Sequence, residues 1–212
     1  MCGVYMKKLF SSVILAACLS LFGHSSCQAS NDDMLKTYLD AESKAIDSDD
    51  AYEDLELEYK NNPSDPVALF FFGSTGTLVG RDSWWPWNKL RYTENGLARI
   101  EKSLIMLGDK SLPNVFGYIP MDIYMKASAA VTYTQVPRFF GYFDKGSELF
   151  DKLQHDARFQ AIPLPAKTWV HYYATQAALD DENQEKAVLW AKPVQESGLT
   201  DDYTQKTVKL MQ

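Results

Sequence analysis

The stretch that decides the fold reads Asn-Pro-Ser-Asp-Pro-Val-Ala-Leu-Phe-Phe-Phe-Gly and occupies residues 62–73. Its first half has the composition of a turn. Pro66 suits the first turn of a helix, because the N–H that proline lacks has no helical partner there. The second half is apolar on every side, which predicts a helix over residues 66–80 that is buried or lines a groove. Gly73, Gly76 and Gly80 share one side of this helix, so a second helix can approach closely.

Elsewhere in the chain, apolar residues recur mostly with helical spacing and nowhere alternate over the length of a strand. The sequence therefore predicts an all-α fold with about eight to nine helices. The segments Pro113–Pro120 and Phe159–Pro165 are expected to be irregular. The predicted helices cover residues 31–46, 50–61, 66–80, 88–107, 121–135, 137–155, 166–179, 184–195 and 201–211.

Residues 48–196 are arranged as three approximate helix pairs, with small residues where paired helices touch. They resemble degenerate tetratricopeptide-repeat proteins, in particular uncharacterised exported bacterial ones. The resemblance implies antiparallel helix pairs stacked as a short right-handed superhelix, and a role in binding. The Arg81–Trp87 insertion departs from the usual repeat length. The residues that mark the pairs are Leu69, Phe72 and Gly73 with Gly96, Ile100 and Ser103; the Met121 helix with Gly146, Phe150 and Leu153; and Trp169, Tyr172 and Tyr173 with Ala187 and Ala191.

The N-terminus is typical of a secretory signal peptide. Lys7 and Lys8 precede an apolar run, and small residues follow near Ala29. Cleavage after Ala29 would leave residues 30–212 as a single domain in the periplasm. In the alternative, Leu-Ala-Ala-Cys at residues 15–18 is a lipobox, and Cys18 anchors the protein to a membrane of the cell envelope. A membrane association is expected only in that second case.

The totals exclude several classes of function. Residues 1–29 hold all three cysteines, so disulfides and thiol chemistry are not expected in the exported chain. The same residues contain two lysines and no acid, which leaves 19 basic against 28 acidic side chains and a formal charge of −9. An acidic protein is poorly suited to nucleic acid, whose phosphates need a basic surface.

Three groups of side chains are candidates for a binding site, each with a structural alternative. Trp84, Trp85 and Trp87 are expected to form a binding rim, or else to cover the ends of the helices beside them. Lys89, Arg91 and Arg138 are candidates for holding an anionic group, or else they neutralise acids and helix C-termini. The aromatic residues of the first helices are expected to line a concave groove, or else to build the core. These residues are Phe70, Phe71, Tyr124, Tyr133, Tyr172 and Tyr173.

No constellation of residues in the chain points to catalysis. His155 and His171 lie on different predicted helices, and the paired aspartates fall in polar breaks where they suit helix caps. We therefore expect no enzyme, no metal site and no cofactor. The leading expectation is an exported scaffold that engages a protein or peptide partner through its concave face. The alternative is a periplasmic accessory protein of a transport system that binds a small apolar molecule or a lipid.

Overall fold

The computed structural model describes residues 31–212, so the predicted signal peptide and Cys18 lie outside the described residues. Within this range the chain forms ten α-helices and one hairpin whose two strands have two residues each, which confirms the all-α fold class. The elements are α1 (residues 31–42), α2 (Ser48–Asn61), α3 (Pro66–Asp82), α4 (Pro86–Leu107), β1 (Asn114–Val115), β2 (Ile119–Pro120), α5 (Met121–Gln135), a 3-10 turn (Arg138–Phe140), α6 (Phe143–His155), α7 (Ala157–Ala161), α8 (Leu164–Asp180), α9 (Gln184–Gln195) and α10 (Asp202–Leu210).

Helix α3 is the centre of the molecule. The side chain of Asp65 caps its first turn by accepting from Val67 N at 2.8 Å, and Pro66 occupies the first helical position. Every residue from Val67 to Gly80 except Thr77 is buried, as the apolar stretch predicts for a helix surrounded by others.

Glycines set the close antiparallel contact between α3 and α4. A Cβ placed on Gly96 would lie 2.6 Å from Gly73 O, and one on Gly73 would lie 2.9 Å from Gly96 O. Farther along α3, Gly80 faces Thr93. Residues nearer the end of α3 thus contact residues nearer the start of α4, as in any antiparallel helix pair. The two backbones therefore pack at a distance that no larger side chain at these positions would permit.

The predicted pairs are present as α3–α4, α5–α6 and α8–α9. The first helices of the pairs, α3, α5 and α8, are neighbours in that order. A line of rings follows them, with centroid separations of 6.4 Å from Phe71 to Tyr124 and 6.1 Å from Tyr124 to Trp169. The resemblance to tetratricopeptide repeats stays a prediction.

Helix α1 packs on the face of α3 and α5 that was expected to form an open groove. Met34, Leu35 and Tyr38 of α1 are buried in the main hydrophobic core. The ring of Tyr38 lies 5.8 Å from that of Phe71, centroid to centroid. Much of the expected concave face is therefore covered by the chain itself.

Three local expectations were wrong. The predicted helix over residues 137–155 is divided into the 3-10 turn and α6, because Gly141 adopts a left-handed conformation with φ of 74°. A short helix, α7, is capped by Asp156 and takes up the first three residues of the predicted Phe159–Pro165 loop, and α8 begins at Leu164, before the expected end of that loop. Residues 114–120 form a hairpin instead of an irregular segment.

No helix within residues 31–212 combines the length and the apolar character that crossing a bilayer requires.

Candidate functional site

An apolar pocket opens where α3 ends, α4 begins and the 3-10 turn follows α5. We call it the end pocket. Its volume is about 610 Å³, which falls within the range of small-ligand and side-chain sites. Its lining residues are Thr77, Gly80, Arg81, Pro86, Lys89, Leu90, Thr93, Gln135, Val136, Pro137, Phe139 and Phe140.

The tryptophans of the insertion stand beside this pocket and face solvent. Trp84 is 88% exposed, and the rings of Trp85 and Trp87 stack with their centroids 4.8 Å apart. Trp85 is the residue before the first turn of α4, yet its side chain makes no capping hydrogen bond. The alternative that these rings merely cover helix ends therefore accounts poorly for their exposure.

Phe139 provides a further exposed aromatic ring, on the wall of the pocket formed by the 3-10 turn. It is 75% exposed, and its ring centroid lies 4.4 Å from that of Phe140. Leu90 is also exposed and lies on the wall formed by α4. Exposed apolar groups that are contiguous, rather than scattered singly, mark interaction sites.

The charged side chains of the end pocket are cationic. Its lining includes Arg81 and Lys89 and no carboxylate among the described residues. Arg81 makes a bidentate pair with Asp82 at 2.9 and 2.7 Å, and this guanidinium lowers the pKa of the Asp82 carboxyl. Lys89 donates to Arg81 O at 3.1 Å, close to the C-terminus of α3, and forms no ion pair with any described residue.

Arg91 and Arg138 differ in whether the guanidinium group already has a partner within the protein. Arg91 is exposed, lies over the Tyr92 ring at 5.1 Å and has no carboxylate partner within residues 31–212. Arg138 donates to Asp180 O at 2.7 Å, lies 3.6 Å from the Asp181 carboxylate and covers the Phe143 ring at 3.7 Å. Arg138 is thus a link between the 3-10 turn and the end of α8, as the structural alternative predicts, whereas Arg91 stays available.

Most residues of the predicted aromatic groove belong to the core, as the structural alternative predicts, and none of them lines the end pocket. Phe70 and Phe71 are fully buried and cannot touch a partner. Tyr124 and Tyr133 are also buried. Tyr172 and Tyr173 are half-buried beside Tyr203 of α10. Among the predicted residues, Lys89 lines the end pocket and the three tryptophans flank its Pro86, whereas Arg91 and the predicted groove residues lie outside its lining.

Sequence reasoning missed Leu90, Val136, Pro137, Phe139 and Phe140 as pocket residues. Leu90 and Phe139 fall within the predicted helices over residues 88–107 and 137–155, where their apolar spacing indicates a buried face. The signal that could have found them is Pro137, because the residue before a proline is disfavoured in a helix and the following Arg-Phe-Phe need not continue one.

A second cleft, of about 450 Å³, lies between α4 and α6 and differs in its charges. Its lysines are matched by nearby acids: Lys145 lies 2.5 Å from Glu101, and Lys152 lies 2.8 Å from Glu148. The end pocket has the larger volume and the more apolar lining, and we treat it as the candidate site.

Comparison of the chain with protein-family models, with curated proteins and with solved structures finds no match. The geometry and chemistry of the described residues are therefore the basis for a functional proposal.

Proposed function

We propose that this protein is a helical binding protein that engages a protein or peptide partner at the end pocket. The observation that carries the proposal is the group of exposed rings at an apolar pocket: Trp84, Trp85 and Trp87 flank Pro86, and both Pro86 and Phe139 line the pocket. Tryptophan is the residue type most enriched where interfaces derive their affinity, because it removes a large rigid surface from water at little entropic cost.

The chemistry of the pocket favours an apolar segment with acidic neighbours. Leu90, Val136 and Phe140 form walls suited to aliphatic or aromatic side chains. Lys89 lines the pocket without a carboxylate partner among the described residues, and Arg91, also without one, lies two residues farther along α4 and outside the lining. Oppositely charged rims raise association rates and fix the orientation of a partner more than they raise affinity.

The position of α1 supports the end pocket over the concave face. Tyr38 and Leu39 of α1 lie against the first helices, so a partner at that face would have to displace part of the core. The end pocket needs no such rearrangement. Partner surfaces that are already formed in the free protein move little on binding.

A peptide array tests this proposal. Its peptides carry randomised cores of Leu, Ile, Met, Phe and Trp, flanked on both sides by aspartate, by asparagine or by lysine. We expect the purified protein to retain aspartate-flanked peptides best and lysine-flanked peptides least, with the difference shrinking as salt is raised.

Two variants locate the binding on the surface. Phe139→Ala removes an exposed pocket ring and is expected to reduce retention. Ile105→Ala is the matched control, since Ile105 is exposed to a similar degree, 74%, but lies in the cleft between α4 and α6. Equal loss in both variants, or retention that ignores the flanking charge, would refute the proposal.

The signal peptide predicted over residues 1–29 supports a location of this activity outside the cytoplasm, in the periplasm or, if Cys18 is lipidated, at a membrane of the cell envelope. Cell fractionation of the Cys18→Ser variant separates these routes. Release from the membrane fraction is the result expected of a lipoprotein, and an unchanged periplasmic fraction is the result expected of cleavage after Ala29.

A further inference from the structure

A further pocket lies beneath α1, apart from the end pocket and from the cleft between α4 and α6, and it differs from both in its lining. We call it the tyrosine pocket. It is bounded by α1, α5, α8 and α10, and its volume is about 280 Å³. It shares no lining residue with the end pocket. Its lining residues are Tyr38, Leu39, Glu42, Phe116, Tyr124, Ser128, Val131, Thr132, Trp169, Tyr173 and Tyr203.

Six aromatic rings line this small space, five of them on helices and the sixth, Phe116, in the hairpin. Tyr124 of α5 and Trp169 of α8 lie 6.1 Å apart, and Tyr173 and Tyr203 lie 6.0 Å apart, both measured between centroids. Tyr38 closes the side formed by α1. Rings from four helices surround the pocket, and an organic cation is held where several rings turn their faces toward it, because the face is the electronegative side of the ring.

The rings are held by contacts among the elements that carry them. The Tyr173 ring lies against that of Tyr172, with centroids 4.9 Å apart, and the Tyr38 ring lies 5.8 Å from that of Phe71. Asp201 caps α10 by accepting from Tyr203 N at 3.1 Å and also accepts from Thr168 Oγ1 of α8 at 3.0 Å. The start of α10, and with it Tyr203, is thereby tied to α8 before any ligand arrives.

One carboxylate, that of Glu42, belongs to the lining of this pocket. Glu42 is exposed at the end of α1, and within residues 31–212 it forms no ion pair. No lysine or arginine contributes to the described lining. A carboxylate at a helix C-terminus is electrostatically unfavourable for the helix, whereas a cation beside it would benefit from both the carboxylate and the helix dipole.

The nearest cations are already engaged. Arg81, whose charge acts on Glu42, is paired with Asp82. Lys206 is paired with Asp202 at 2.6 Å, and its Nζ lies 5.3 Å from the centroid of the Tyr203 ring. The field of Glu42 reaches the rings: burial first and the Glu42 charge second raise the pKa of the Tyr203 hydroxyl.

We propose that the tyrosine pocket binds a small quaternary ammonium group through its aromatic rings and the Glu42 carboxylate. Such a cation is weakly hydrated and apolar on its surface, so it gains from ring faces without losing strong hydrogen bonds to water. The volume suits a head group rather than a larger ligand. The group can belong to a free molecule or to the head of a choline lipid.

Calorimetric titration with choline tests the proposal. The comparison ligand is the neutral carbon analogue in which a tert-butyl group replaces the trimethylammonium group. We expect choline to bind and the analogue to bind at least about tenfold more weakly, since the shape is kept and only the charge is lost.

Two variants and two vesicle compositions complete the test. Glu42→Gln, at an exposed position, and Tyr203→Leu are both expected to weaken choline binding, whereas Glu58→Gln, an exposed acid on α2, is expected to leave it unchanged. Capture by phosphatidylcholine but not by phosphatidylglycerol vesicles identifies a lipid head group. Binding of choline without vesicle capture identifies a free cation.

Equal binding of choline and its neutral analogue would overturn the proposal, because the pocket would then be merely apolar. Failure of a folded protein to bind either choline or phosphatidylcholine vesicles would also overturn it. Neither result bears on the end pocket, whose peptide array is a separate measurement.

Discussion

Two aromatic stretches lie close together in the chain, and one is buried while the other is exposed. Phe70, Phe71 and Phe72 are buried in α3, whereas Trp84, Trp85 and Trp87 are exposed just after it. The difference follows from their neighbours. Glycines beside the phenylalanines let α4 pack directly on α3, while Ser83 and Pro86 separate the two helices at the tryptophans. Aromatic content alone therefore does not distinguish the core from a binding surface.

The most disruptive test of this comparison is Phe71→Ala set against Trp84→Ala. Phe71→Ala is expected to lower the free energy of unfolding by about 3–5 kcal/mol, because it leaves a cavity beside Tyr38 and Tyr124. Trp84→Ala is expected to change it by less than about 0.5 kcal/mol, as for other exposed sites. Denaturant unfolding of both variants measures the two effects. Similar losses in the two would show that the tryptophans are structural.

Gly96→Ala tests the reason why the phenylalanines are buried. Alanine normally stabilises a helix interior relative to glycine. Here its Cβ would meet backbone atoms, Gly73 O at 2.6 Å and Thr77 N at 2.9 Å. We expect a loss of about 1–3 kcal/mol from overpacking. The control is Asn95→Ala, an exposed neighbour on α4, which is expected to be neutral or slightly stabilising.

The contrast between buried and exposed side chains extends to the histidines. His171 is buried, and burial lowers its pKa below the usual value, although its hydrogen bond to Trp190 O at 2.8 Å opposes this. The unfolded chain therefore takes up the proton first as pH falls below about 6.5, and stability is lost there by at most about 1.4 kcal/mol per pH unit.

The measurement is the free energy of unfolding across pH 5–8, a range of about three units chosen to span the ordinary histidine pKa. His171→Gln is expected to flatten the dependence even if it lowers stability overall. The control is His155→Gln, which removes an exposed histidine. An unchanged slope in His171→Gln would contradict the account.

Trp85→Ala is expected to have only a small effect on stability. This change removes the stacking partner of Trp87, whose ring lies on the surface. An exposed aromatic pair contributes about 0.5 kcal/mol at the low end of such contacts. A melting temperature that falls as far as that of Gly96→Ala would show that the insertion braces the junction of α3 and α4.

The sequence was sufficient for the helix pairs because their cause is local. The apolar run after Pro66 and the glycine spacing in α3 require a close partner helix wherever that helix lies. The sequence was insufficient for the position of α1, because periodicity identifies an apolar face but not the surface it covers. Periodicity therefore identifies Tyr124 as an inward-facing residue. It does not show that Tyr124 shares a pocket with Tyr38 and Tyr203, because these residues come from other helices.

The candidate site was half predictable. Trp84, Trp85 and Trp87 fall in an insertion, where large aromatic rings have no helix partner to cover them, and this much was visible in the sequence. Phe139 was not, because its spacing fits the helix that begins after it. Its exposure depends on the left-handed conformation of Gly141, which ends the 3-10 turn, and helical periodicity does not predict such a break.

The most direct test of the central claim is the affinity of the best aspartate-flanked array peptide for the Trp84→Ala/Phe139→Ala double variant, measured beside its unfolding free energy. We predict that affinity falls by at least about tenfold while the unfolding free energy stays within about 0.5 kcal/mol of the unmodified protein. Unchanged affinity in a folded double variant would contradict the claim that the exposed aromatic residues of this fold serve binding.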